Sequence, residues 1–182
     1  MFLRLNKMSE ELRNKIKEDE KYKKFKNAFL KEYKKIDLEV DKDQLINLQS
    51  TRLSRTLYGK KEMYSANSLM EASLQDLAAR SRMVEIRVQL SRRLALLEAL
   101  ISSISKHIYS NYLVIEPSLK TEAQKNNFIS DFLAVYKEYV KKGTPIVEMA
   151  DAFIKDIDQA GFSLRNMMDC LKLLSETKGK II

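Results

Sequence analysis

The sequence predicts an all-α protein of long, antiparallel, coiled-coil-like helices gathered into a bundle that oligomerises. Three observations predict it. The 182 residues include only 4 Gly and 2 Pro, too few tight-turn residues for a many-stranded β fold. Leu, Lys, Glu, Ala, Ile and Ser dominate, a mix that favours long helices. Leu90, Leu94, Leu97, Ile101, Ile104 and Ile108 recur at 4-3-4-3-4 spacing, the seam by which one helix packs along another.

Taken in order, the first helix is expected from about Glu10 to Lys35. Ser9 serves as its N-cap, and Glu10 and Glu11 sit where the helix dipole favours negative charge. Leu12, Ile16, Tyr22, Phe25, Phe29, Tyr33 and Ile36 fall roughly on one face, and Lys21, Lys23, Lys24, Lys26, Lys31, Lys34 and Lys35 fill the rest. Two readings fit that pattern. The rings form a core-facing stripe with a solvated lysine face, or they stack bases while the lysines neutralise phosphates. Leu38 to Asp43 reads as a linker. Residues 1–37 are therefore read as a basic N-terminal helix or arm, and residues 44–182 as the bundle domain.

Asp41 or Asp43 can cap a helical region from about Gln44 to Tyr112, with interruptions expected only at Gly59 or the Ser65–Ser68 stretch. Ser68 and Glu71 have capping-box spacing for a restart. Ala95, Ala99, Ser102 and Ser103 flank the leucine–isoleucine seam, so this helix is expected to be approached from two sides, within a bundle or an oligomer. Glu116-Pro117-Ser118 breaks it, and Ser118 can cap a helix from Leu119 to Lys141 carrying Phe128, Ile129, Phe132, Val135, Tyr136, Tyr139 and Val140 on its apolar side. Lys142-Gly143-Thr144-Pro145 reads as a stop followed by a start. The next helix ends at Gly161, and Ser163 caps a last one through Leu174.

The inventory of reactive groups is thin. His107 is the only histidine, so a two-histidine metal site is impossible and a His-based triad has no spare partner; it reads as a structural residue, satisfied or exposed. Cys170 is the only cysteine; it reads as a buried inert thiol and suits a reducing compartment. The four glycines are isolated and form no phosphate loop. Asp151, Asp156 and Asp158 read as ordinary helix-surface carboxylates. No catalytic residue, metal site or cofactor is expected, and the chain is read as non-enzymatic.

Charge says more. The net charge is +8, a field that favours polyanions. Arg52, Arg55, Lys60 and Lys61 form one basic group, and Arg80, Arg82, Arg87, Arg92 and Arg93 another. These arginines either hold phosphates, or bridge to glutamates such as Glu71 and Glu85, or pack between subunits. No apolar run approaches the ~20 residues that span a bilayer, and MFLRLNKMSEEL lacks a signal-peptide h-region. The expected location is cytoplasmic, that of the host cell if the chain is viral, with no membrane partner.

Gly161-Phe162-Ser163-Leu164-Arg165-Asn166-Met167-Met168-Asp169 resembles the C-terminal signature of the UvsY-type recombination mediators of T4-like bacteriophages. Ala152 to Ala160 resembles that family's amphipathic lead-in helix. Within Leu77-Ala78-Ala79-Arg80-Ser81, Leu77, Ala79 and Arg80 match the family's DNA-binding stretch, while its lysine and tyrosine pair are missing. The resemblance implies a homo-oligomer that binds single-stranded DNA and helps load a recombinase, with that recombinase and a single-strand-binding protein as partners. A different class also fits the residues: a structural or adaptor protein, such as a scaffold or packaging component, that binds another protein rather than DNA.

Overall fold

Asp19 splits the N-terminal amphipathic stretch into two helices, α1 (Phe2–Glu18) and α2 (Glu20–Tyr33). Its backbone is extended, and its carboxylate accepts from the amides of Lys21 at 2.6 Å and Tyr22 at 3.0 Å. It is therefore the N-cap of α2. The single helix expected over residues 10–35 is thus two, and Ser9 lies inside α1 instead of capping it. Periodicity passes over the break because Leu12 and Ile16 before it, and Tyr22, Phe25 and Phe29 after it, are all buried.

The structure, a computed structural model, describes residues 2–53 and 66–178. Among them are four further α-helices and no strand: α3 (Leu38–Leu53), α4 (Ala66–Ile108), α5 (Glu122–Phe132) and α6 (Ala134–Lys178). The fold is an all-α bundle. The expected linker at Leu38–Asp43 is the first turn of α3, where Glu39 and Asp41 meet the positive end of the helix dipole. Gly59 and the question of continuity between α3 and α4 lie outside the described residues. A π-helical turn, Tyr109–Leu113, closes α4. Thr121, not Ser118, caps α5: its Oγ1 accepts from the Gln124 amide while Gln124 Oε1 accepts from the Thr121 amide, each at 3.2 Å, a full capping box.

The chain divides into two compact units. The first joins Met1–Asp37 to Leu90–Thr144. Here the aromatic face of α2 packs on residues of α5 and α6, with ring centroids 5.3 Å apart for Tyr22–Phe132, 5.0 Å for Phe25–Tyr136 and 4.8 Å for Phe29–Tyr136. Tilted and edge-on rings at these separations add to the burial of area itself. The second unit joins Leu38–Gln89 to Pro145–Ile182, with Leu45, Leu69, Met83, Ile86, Ile146, Ala150, Ile157 and Leu164 in its core.

Every residue of the predicted seam, Leu90 to Ile108, is buried. The same side of α4 is buried further back, at Leu69, Ala72, Asp76, Ala79, Met83 and Ile86. Two alanines and an aspartate hide that part of the repeat from a reading by hydrophobicity. Ala95, Ala99, Ser102 and Ser103 are exposed.

The stop expected at Gly143–Pro145 is absent, and α6 runs through it with Pro145 inside. Pro145 forfeits one backbone bond, a local penalty of about 3 kcal/mol. Against it stand Val140, Ile146 and Ala150, all buried along the same helix; each large side chain contributes about 1.5–3 kcal/mol. Gly143 is there for space: a Cβ would lie 2.7 Å from both Cδ atoms of the buried Leu94. Gly143→Ala gains about 1 kcal/mol in helix propensity and loses about 1–3 kcal/mol to overpacking. A net drop of a few degrees in thermal melts is expected, and combining it with Leu94→Ala should reverse the sign of the Gly143→Ala step. The helix end expected at Gly161 is absent too. Ser163 Oγ donates back to the Gln159 carbonyl at 3.4 Å, the pattern of a hydroxyl inside a helix.

Candidate functional site

The predicted basic residues divide into those held by carboxylates and those left open. Arg52 is 2% exposed, on α3. Its Nη1 lies 2.5 Å from Asp156 Oδ2 on α6, and its Nε 3.4 Å from the buried Asp76 of α4. Gln49 Nε2 donates to the same Asp156 oxygen at 2.8 Å. The Gln49 bond lowers the Asp156 pKa from the ordinary carboxylate value, burial opposes the shift, and Arg52 adds to it. Arg52 is a buried structural cation, not a surface for a ligand.

Arg80 and Arg87 make matching forks. Arg80 Nε and Nη2 donate to Asp158 at 2.6 and 3.2 Å, and Arg87 Nε and Nη2 donate to Asp151 at 2.9 and 3.4 Å. Both pairs are bidentate, the geometry in which a guanidinium and a carboxylate fit best. The arginines are seven residues apart on α4 and the aspartates seven apart on α6, in reverse order, so these segments run antiparallel in register. The hydrogen bond from Arg80 holds the Asp158 carboxyl below its ordinary pKa, and the Arg80 value is raised in return. Arg82 Nη1 meets Glu85 at 2.5 Å within α4.

Of the remaining predicted positions, Arg93 donates to the carbonyl oxygen of Lys35. Arg92 is exposed, with no partner among the described residues. Arg55, Lys60 and Lys61 lie outside the described residues. Of the described arginines in the two basic groups, only Arg92 is thus without a partner among the described residues. Exposed ion pairs contribute only about 0–1 kcal/mol each, so their strength is not what matters. Each brings a negative charge to within hydrogen-bond distance of the guanidinium and so offsets its charge locally. The partners were present in the sequence as Asp151, Asp156 and Asp158; the matching seven-residue spacing on α4 and α6 pointed to Asp151 and Asp158, and nothing local pointed to Asp156.

His107 is satisfied. Its Nδ1 lies 2.9 Å from Asn111 Nδ2, which can only donate, so Nε2 carries the proton toward Asp19 Oδ2 at 3.2 Å. Tyr112 donates to the same oxygen at 2.6 Å. That bond first, and burial second, push the Tyr112 pKa up to about 12, so its hydroxyl stays protonated and is no nucleophile at neutral pH. Cys170 is exposed, correcting the reading of a buried thiol. Its apolar neighbours Leu173 and Leu174 are 61% and 57% exposed, so an apolar sequence context there does not mean a core.

One apolar surface belongs to the second unit. Met70, Leu74 and Leu77 recur at 4-3 spacing on α4, and each is 57–59% exposed. Leu77 lines a groove of about 580 Å³ with Phe162, Leu164 and Met168 of α6, bordered by Arg80, Asp158 and Arg165. Among the described residues no helix is long and apolar enough to cross a membrane. Compared with known proteins, the chain matches no family model, no curated protein and no solved structure.

Proposed function

We infer that the chain is a non-enzymatic structural or adaptor protein that assembles with copies of itself through the second unit. The observation that carries this is the open apolar row Met70–Leu74–Leu77 beside Phe162, large side chains at helical spacing, as a partner helix requires. The carboxylate-held arginines support it, since they keep α4 and α6 in register without needing an external anion. Light scattering after size-exclusion chromatography tests the reading. The wild type is expected to run well above its 21.2 kDa chain mass, and Leu74→Glu with Leu77→Glu should return it to monomer with its helix content intact. A wild type that stays monomeric at all concentrations would remove the proposal.

The second reading is a single-stranded-DNA-binding accessory that helps load a recombinase beside a single-strand-binding protein. It rests on the Gly161–Asp169 resemblance, and one observation favours it: Arg165 in that stretch is exposed with no carboxylate partner among the described residues, its guanidinium 6.0 Å from the Phe162 ring. An arginine beside an open ring suits a nucleobase and its phosphate.

A further inference from the structure

On the first unit, a dense run of unneutralised charge lies not on the predicted arginines but on α2. Tyr22, Phe25 and Phe29 bury one side of this helix. At 100° per residue, Lys23, Lys24, Lys31 and Lys34 fall on the opposite side, with Lys21, Lys26 and Lys35 on its margins. All seven are exposed. Only Lys35 has a carboxylate partner among the described residues, Glu32 at 2.6 Å. Residues 20–35 hold seven lysines against Glu20 and Glu32. The contrast with Arg80 and Arg87 is direct: there each cation has its anion, and here six of the seven have none among the described residues.

The helix presenting these lysines is rigidly seated. Asp19 caps its first turn, and its rings are locked among Phe132, Tyr136 and Tyr139. The row from Lys23 to Lys34 covers about 16 Å at the rise of an α-helix. An ammonium on a flexible stem is a point charge without a bidentate preference, suited to a repeating line of phosphates. A lipid surface fits less well. The large apolar side chains of α2 face the core, and on the lysine side only Leu30 is available, at 39% exposure, too little for insertion into a bilayer.

Base stacking is also closed off. The ring of Phe25 is buried, and the hydroxyl of Tyr22 lies 3.3 Å from that of Tyr136. The ring of Tyr33 is 37% exposed but is held on the core side, stacked on Phe29 and edge-on to Tyr139. With no ring on the lysine side to receive an unpaired base, binding depends on phosphate density alone, and a duplex carries about one charge per 1.7 Å of axis, twice that of one of its strands. We propose that the lysine face of α2 is a sequence-indifferent contact for the phosphate backbone of duplex nucleic acid. This is independent of the assembly surface on the second unit and differs in substrate from the single-strand reading.

Fluorescence anisotropy on the full chain tests it, with a labelled mixed-sequence duplex and one of its strands at several salt concentrations. The duplex is expected to bind at least as tightly as the strand. Lys23→Gln, Lys24→Gln, Lys31→Gln and Lys34→Gln together should lower the slope of log affinity against log salt by about 4 and weaken duplex binding at least tenfold, with an unchanged thermal melt. Three results with nucleic acid would overturn it: no duplex binding at low salt, unchanged binding by the quadruple variant, or a clear preference for the single strand. Tighter binding to vesicles of anionic phospholipid than to duplex would overturn it in favour of a membrane surface.

Discussion

Replacing Arg52 with methionine is expected to destabilise the protein by about 3–5 kcal/mol, seen as a fall of roughly 10 °C or more in melting temperature. The side chain joins three helices: it sits on α3, and its guanidinium meets Asp76 of α4 and Asp156 of α6. Asp76 is itself 5% exposed, so removing the cation strands a carboxylate away from water. The size of the effect comes from that stranded charge, not from the worth of the pair. Replacing Asp76 with leucine in the same chain should therefore recover most of the loss, because an apolar substitute for a buried pair is commonly neutral or stabilising. A melt unaffected by Arg52→Met would mean that the guanidinium is not a structural element. A loss that Asp76→Leu fails to offset would place the damage elsewhere, in packing around the methionine.

The same residue shows where sequence reasoning reached its limit. Arg52 counts as one more positive charge in a basic segment until its partner 104 residues away is known. Helix content was legible throughout, because apolar periodicity survives any local irregularity. The register between α4 and α6 was not. Composition cannot place Asp151 opposite Arg87, and two basic groups picked out along the sequence leave out the three aspartates that come from α6.

Local signals misled in one consistent way. Gly143, Pro145, Gly161 and Ser163 all read as punctuation, and at each the helix continues. Their preferences are worth about 1–3 kcal/mol apiece, while a helix packed along much of its length gains several large burials. At two helix starts local chemistry decided. The Thr121–Gln124 capping box and the Asp19 cap both set real helix starts, and both were readable as Thr-x-x-Gln and as an aspartate before a glutamate.

Asp19 carries the second large effect. Its carboxylate caps α2 and also receives Tyr112 and His107, so one side chain ties a helix start to the end of α4 and the turn that follows it. Asp19→Ala removes a cap worth about 0.5–2 kcal/mol and leaves a half-buried hydroxyl and an imidazole N–H without their acceptor, at about 1–3 kcal/mol for a stranded polar group. The expected total is about 2–4 kcal/mol at neutral pH by chemical denaturation. Asp19→Asn keeps an acceptor oxygen and should lose clearly less. Burial acts to raise the Asp19 pKa, but the bonds from Tyr112, the Tyr22 amide, His107 and the Lys21 amide together hold it well below the ordinary carboxylate range. A depressed folded-state pKa gives stability that is fully present above the unfolded value of about 3.9 and is lost as pH falls through and below it. The stability gap between wild type and Asp19→Ala should therefore be constant from neutral pH down to about 5 and narrow on further acidification. A gap that stays the same at pH 3 would show that the carboxylate charge contributes nothing, and that the side chain acts only by its shape.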